Sequence, residues 1–92
     1  MLTIIYTTAF KKDFKRLEKQ NKNLELLKPI IKNLSLGKDL ESKYRDHQLI
    51  GNYKGKRECH ISPDWLLIYE INNNESELIL YRTGSHSELF KK

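Results

Sequence analysis

Apolar residues change their spacing twice along this chain. From Leu2 to Tyr6 they run almost without a break, and they include β-branched and aromatic side chains that suit an extended backbone. The spacing then lengthens. Phe10, Phe14 and Leu17 recur at intervals of four and three, with Lys11, Lys12, Lys15, Arg16 and Lys19 elsewhere on the turn. That period collects the apolar side chains on one stripe of a helix. Thr7 and Thr8 stand where a hydroxyl can cap its first turn. The polar segment QNKN ends it. A second helical stripe follows, made of Leu24, Leu27, Ile31 and Leu34 with Ile30 on its margin, and Gly37 closes it. Pro29 lies inside this stripe. Having no backbone N–H, it marks either a late helix start or a kink.

From Gly37 to Gly55 the chain is polar and aperiodic, with a short strand expected at 47–50 and a turn at GNYKG. Strands are then expected at 56–61, 65–71 and 78–82, divided by the turns Ser62-Pro63-Asp64 and NNNES. The tail SHSELFKK suits a short helical turn. The order strand, helix, helix, strands predicts one α+β domain over residues 1–92. In it, two N-terminal helices pack on one face of an antiparallel sheet of four to five strands. The first strand belongs in that sheet, since an exposed apolar edge invites aggregation.

Alternation sorts the strand residues by face. Arg57, Cys59 and Ile61 share one side, and Glu58 and His60 the other. Trp65, Leu67, Tyr69 and Ile71 oppose Leu66, Ile68 and Glu70. Leu78, Leu80 and Arg82 share a side of the last strand, and without a register that side is not assigned to either face. If Cys59 and Ile61 point to the core, Glu58 and His60 emerge on the face away from the helices.

Charge adds a direction. Seventeen Lys and Arg against twelve Asp and Glu leave a net charge of +5 in 92 residues. Lys43, Arg45, Lys54, Lys56 and Arg57 meet one acid, Asp46, in the stretch from 43 to 57. Such a stretch either solvates the surface or meets a polyanion, most often nucleic acid. The single cysteine, Cys59, allows no internal disulfide and fits a reducing cytoplasm. There is no C-x-x-C, and the three histidines stand far apart in sequence, so neither a metal nor another cofactor is expected. The apolar start is too short for a signal peptide, and no stretch is long enough to span a membrane.

His47, His60 and His86 all fall in the C-terminal half, with Glu58, Asp64 and Arg82. Taken singly, each has an ordinary explanation as a surface, ion-pair or turn residue. Together they suit RNA cleavage by the RNA's own 2′-hydroxyl. That reaction needs a base for the hydroxyl, a cation for the phosphoryl oxygens and an acid for the leaving 5′-oxygen. Histidine exchanges protons near neutral pH, arginine binds phosphate oxygens as a planar fork, and aromatic rings stack on unpaired bases.

The segments YRDHQLIGNYKGKRECHISPDWLLIYEI and LILYRTGSHSELF resemble the YafQ-type branch of the RelE/ParE toxin superfamily, small bacterial toxins of type II toxin–antitoxin pairs. The likeness spans the chain. It is most specific in D-H-x-L-x-G, R-E-C-H-x-x-P-D-W-x-L-x-Y and R-T-G-S-H-x-x-L-F. It implies a cytoplasmic, ribosome-dependent mRNA endonuclease held in check by an acidic antitoxin of the DinJ/RelB kind. The matching positions are His47, Glu58, His60, Asp64, Trp65, Arg82, His86 and Phe90. On this reading Arg82 clamps the phosphate, His86 and Asp64 form the acid–base pair, and His47 and His60 orient the 2′-hydroxyl and phosphate, with one of these two as the alternative base. Glu58 holds His60 or Arg82. Phe90 and Trp65 stack on or wedge a base, with a purely structural role as the alternative for Trp65, and Lys43, Arg45, Lys54, Lys56 and Arg57 meet RNA phosphates. The alternatives are a gyrase-inhibiting, protein-binding toxin on the same scaffold and a plain nucleic-acid-binding module.

Overall fold

A computed structural model describes residues 1–90. Five strands, β1 (Thr3–Tyr6), β2 (His47–Gln48), β3 (Arg57–Ser62), β4 (Trp65–Asn72) and β5 (Glu77–Gly84), form one sheet in the order β1-β5-β4-β3-β2. The pairs from β2 to β5 are antiparallel. β1 runs parallel to β5, with Thr3 opposite Glu77 and Tyr6 opposite Leu80, so the sheet is mixed at that edge. Parallel neighbours need a long connection, and the whole chain between Tyr6 and Glu77 supplies it.

Helix α1 (Thr8–Lys19) starts where the sequence places it: the Thr7 hydroxyl oxygen accepts from the Phe10 N–H at 3.0 Å. The same hydroxyl donates to the Tyr81 carbonyl at 2.8 Å and so ties the helix start to β5. The second helix begins late. A 3-10 turn occupies Leu24–Leu26 and α2 covers Leu27–Ser35, which puts Pro29 in the first turn, where a missing N–H costs nothing. The 3-10 turn also rotates the stripe. The side chains that reach the core are Leu27, Ile30 and Leu34, while Ile31, expected inside, is only partly buried. Gly37, at φ 77°, ends the helix: its N–H reaches the Leu34 carbonyl and that of Lys38 reaches Asn33.

Both faces of the sheet are covered, unequally. Phe10, Ile30 and Leu34 from the helices meet Cys59, Leu67, Tyr69, Leu78 and Leu80, and beside them Leu17 and Leu27 meet Trp65. Each such side chain contributes about 1.5–3 kcal/mol on burial. On the opposite face, Leu66 and Ile68 pack with Leu89 of a short helix α3 (His86–Leu89) and are flanked by Leu49, Tyr53, Tyr81 and Phe90. The face away from the helices is thus partly roofed, and His47, Glu58, His60 and His86 lie at the margin of this roof.

Alternation fails at one place. Ile68 pairs with Arg82, but Tyr69 pairs with Leu80, leaving Tyr81 as an extra residue. This bulge reverses the side of everything after it. Arg82, grouped by sequence with Leu78 and Leu80, instead joins Ile68 on the face opposite Leu80. Thr83 takes the helix side.

Candidate active site

Strand pairing assembles the first part of the site. His47 stands opposite Glu58 across the β2–β3 ladder, and His60 follows two residues along the same face. Glu58 is 5% exposed. Its Oε2 lies 3.2 Å from His47 Nε2 and 3.6 Å from His60 Nε2. His47 Nδ1 is 2.7 Å from the Arg45 carbonyl. A carbonyl only accepts, so this contact places a proton on Nδ1.

His86 arrives from the other direction. Ser85 caps α3 in a reciprocal box with Glu88, which sets His86 at the first position of the helix. The Pro63-Asp64 turn brings Asp64 beneath it. Asp64 Oδ1 accepts from the His86 backbone N–H at 3.1 Å and lies 2.7 Å from His86 Nδ1. Hydrogen bonds from the His86 ring and backbone hold the Asp64 carboxyl below its usual range. With a proton on Nδ1 facing the carboxylate, Nε2 of His86 is left to take or give one. The rings form a row: His47 to His60 is 6.3 Å between centroids and His60 to His86 is 5.7 Å.

Arg82 is held by a residue that the sequence reading did not single out. Asp13 of α1 is 2% exposed, and its Oδ2 accepts from Arg82 Nε at 2.6 Å and from the Thr83 N–H at 3.1 Å. Its Oδ1 accepts from Arg82 Nη2 at 3.0 Å and from Arg16 Nη1 at 2.8 Å. Burial pushes the Asp13 carboxyl up, but these donors outweigh burial and hold it below the ordinary aspartate value. The sequence did carry a signal: Asp13 is three residues from Phe10 and four from Leu17, on the apolar stripe itself. The carboxylate occupies the side edge of the guanidinium, Nε and Nη2. Tyr53 also bonds the guanidinium, so a phosphate competes with it for the end edge, Nη1 and the second proton of Nη2.

Trp65 cannot stack on a base. It is 3% exposed among Leu17 and Leu27, and its indole N–H donates to Thr83 Oγ1 at 2.9 Å. Arg57 is turned from the histidines as well: it pairs with Tyr69 in the ladder, and its Nε bonds Asp46 at 3.1 Å. Lys56 sits over the Tyr81 ring at 4.3 Å, and Lys54 is exposed on the loop that precedes β3. Lys43 and Arg45 border a cleft that reaches His60. Phe90 meets Tyr53 edge to face, 5.5 Å between centroids. Cys59, fully buried, has its thiol pushed up to about 12 by burial and is unreactive.

Glu58, His60 and His86 each offer a ligand atom, and the three atoms lie within 4.8 Å of one another. Two imidazoles and a carboxylate suit a divalent ion of intermediate softness such as zinc or copper. Spacing along the sequence hides this group, because β3 supplies Glu58 and His60 while His86 comes from α3, 26 residues further on.

A small basic α+β scaffold whose open sheet margin carries histidines paired with carboxylates defines a candidate acid–base site for phosphodiester chemistry. The model of a bacterial toxin of type II toxin–antitoxin systems, YafQ, matches residues 2–91, and the chain belongs to this family. It is 38% identical over 90 residues to the mRNA interferase toxin YafQ of Escherichia coli K12, covering 95% of this chain and 94% of that one. A metal-bound toxin from Helicobacter pylori superposes with a TM-score of 0.92 at 49% identity, covering 98% of this chain and all of the other. YafQ in an E. coli DinJ–YafQ complex superposes at 0.88, with 36% identity and 98% and 99% coverage.

Proposed function

We propose that this toxin is an mRNA interferase that cleaves RNA by internal attack of the 2′-hydroxyl at the site lined by His47, Glu58, His60, Asp64, Arg82 and His86. The observation that carries this reading is the Asp64–His86 pair. A carboxylate 2.7 Å from Nδ1 fixes the ring and its tautomer, leaving Nε2 as a proton-transfer atom above the histidine row. His86 then serves as the general acid for the leaving 5′-oxygen. His60, beside Glu58, is placed to receive the 2′-hydroxyl proton, and His47, whose two ring nitrogens face the Arg45 carbonyl and Glu58, holds the Glu58 carboxylate in place. The end edge of Arg82 takes the charge that builds on the phosphate, the kind of stabilisation that contributes about 100–1,000-fold per donor.

Lys43 and Arg45 hold flanking phosphates, which makes binding fall with salt. No helix among the described residues is long and apolar enough to cross a membrane, and the substrate, translated mRNA at the ribosome, lies in the cytoplasm. An acidic antitoxin, as in the DinJ–YafQ complex, covers this basic margin and blocks it. The gyrase-inhibiting alternative leaves the paired histidines without a task.

The test is single-turnover cleavage of a reporter RNA on and off ribosomes, with one substrate carrying a 2′-deoxy sugar at the scissile position. The deoxy substrate is expected to resist, and Asp64→Asn and His86→Ala are each expected to slow cleavage by about 100-fold. Cleavage of the deoxy substrate at the normal rate refutes 2′-hydroxyl attack.

A further inference from the structure

The geometry points to a nucleobase-binding subsite beside His60, in the cleft between the first turn of α2, the Ser42–Tyr44 turn and the β3–β4 turn, with Tyr44 as its stacking face. This rests on the ribonuclease reading above and names where the base next to the scissile phosphate is held.

The cleft has a volume of about 500 Å³, within the usual range for small-molecule sites. Its lining has the composition such a ligand needs. Leu26, Pro29, Ile61 and Pro63 supply an apolar floor, and Ser62 a hydroxyl at the same wall. Lys43 and Arg45 stand at its border with His60, so a nucleotide whose base enters here has its phosphate between two cations and the histidine row.

Tyr44 carries the mark of an available ring face. The Lys43 ammonium lies 5.1 Å from its centroid. That ammonium is also 3.9 Å from Glu41, and both side chains of this ion pair are well exposed, at 66% and 76%. Such contacts are weak in water and readily displaced. A base that slides onto the ring releases Lys43 to the adjoining phosphate, so one movement satisfies both groups. Stacking rises with ring area, so the subsite favours purines.

The cleft wall is also joined to the reacting groups. Arg45 ends the Ser42–Tyr44 turn with φ 51°, a left-handed conformation uncommon for residues other than glycine. That turn of the backbone presents the Arg45 carbonyl to His47 Nδ1 at 2.7 Å. A base on Tyr44 and the imidazole of His47 are therefore positioned by the same three residues. The hollow on the other side of the Asp64 turn, about 360 Å³, is lined by two acids, Asp64 and Glu88, and one cation, Lys22, and has no exposed aromatic face for a base.

The experiment uses the whole toxin and short single-stranded RNAs with a 2′-deoxy sugar at the scissile position and 2-aminopurine or uracil at the neighbouring base. Binding is read by 2-aminopurine fluorescence and by competition. Tyr44→Phe keeps the ring face and is expected to bind within two-fold of wild type. Tyr44→Leu keeps apolar bulk without the face; it is expected to weaken purine binding about ten-fold and to raise KM while kcat changes little. Tyr44 also touches the core, so a second variant avoids it. Leu26, 45% exposed, can be changed without unfolding. Leu26→Glu is expected to lose most of the affinity, and Lys28→Glu, a larger charge change outside the cleft, to lose less. Wild-type affinity and purine preference in Tyr44→Leu, or equal losses in Leu26→Glu and Lys28→Glu, overturn the subsite. Cleavage of the 2′-deoxy RNAs would instead refute the ribonuclease mechanism and leave Tyr44-dependent purine binding standing.

Discussion

Removing the Asp13 carboxylate is expected to disable the toxin from the far side of its sheet edge. Asp13 takes four donors, two from Arg82, one from Arg16 and one from the Thr83 backbone. Breaking a buried ion pair on one side costs about 3–5 kcal/mol. Here both cations keep partial access to water, with side-chain exposures of 28% for Arg82 and 32% for Arg16, and can rehydrate. The Thr83 N–H cannot, since the residue is fully buried. The lower end, about 3 kcal/mol, is therefore the working value for Asp13→Ala, against a total stability on the order of 5–14 kcal/mol for a chain of this size. Asp13→Asn keeps the shape and one oxygen, so it folds, but turns an NH2 toward cations and releases the guanidinium. Its single-turnover rate is expected to fall about 100-fold, in line with the loss of one aligned charge donor. The pH dependence has a definite sign. The folded pKa of Asp13 is depressed, so its contribution is complete above the unfolded value of 3.8 and is lost as pH falls through the folded pKa. Urea denaturation from pH 7 to pH 3 should show that acid loss in wild type and a smaller one in Asp13→Asn. A double-mutant cycle with Arg82→Ala decides the rest. If the rate losses of Asp13→Asn and Arg82→Ala simply add, Asp13 does not act through Arg82.

Gly84→Ala should abolish activity more than it lowers stability. At φ 155° a Cβ would stand 2.6 Å from Arg16 Nη2 and 2.8 Å from Glu88 Oε1, pushing aside the two side-chain ends that brace α3, one of them the Glu88 carboxylate of its capping box; near-normal cleavage would show that α3 keeps its place without them. Trp65→Phe should cost about 1–2 kcal/mol, as one buried hydrogen bond and some packing are lost, and leave RNA affinity unchanged; a drop in affinity at intact fold would return Trp65 to the binding surface. Zinc added in slight excess should slow cleavage, and a chelator should restore it, because an ion on Glu58, His60 and His86 occupies the lone pairs that move protons; acceleration by zinc would contradict the proposed proton transfer.

What could be read in the sequence was whatever depends on local chemistry. The α1 stripe, the Thr7 cap, the Gly37 closure and the turns each follow from a few adjacent residues, and so does the pairing of Glu58 with His60 on one face. What escaped depends on contacts across the fold. The side of Arg82 turns on one inserted residue, Tyr81, and alternation cannot reveal a bulge that is defined only by the partner strand. Trp65 and Arg57 are ordinary RNA-binding types whose partners, Thr83 and Asp46, lie 18 and 11 residues away.

These misses share a cause that bears on how the site works. The bulge carries Arg82 across the sheet, but nothing on β5 itself then fixes its guanidinium. Helix α1 does, through Asp13, and the same helix holds α3 through Arg16 and Glu88, whose nearest atoms are 3.1 Å apart. Arg82 and the carrier of His86 are therefore both braced by one helix, anchored by Thr7 to the carbonyl of the bulged Tyr81. His47 and His60 instead hang on β2, β3 and the loop that leads into β2. In the proposed mechanism the scissile phosphate lies between these two groups, which the Asp64–His86 hydrogen bonds join across the β3–β4 turn, so a shift of α1 against the sheet loads that link and changes the distance from Arg82 to His60. Substitutions along α1 that leave the histidines untouched should for that reason act on kcat, and substitutions at 43–45, in the loop before β2, on KM.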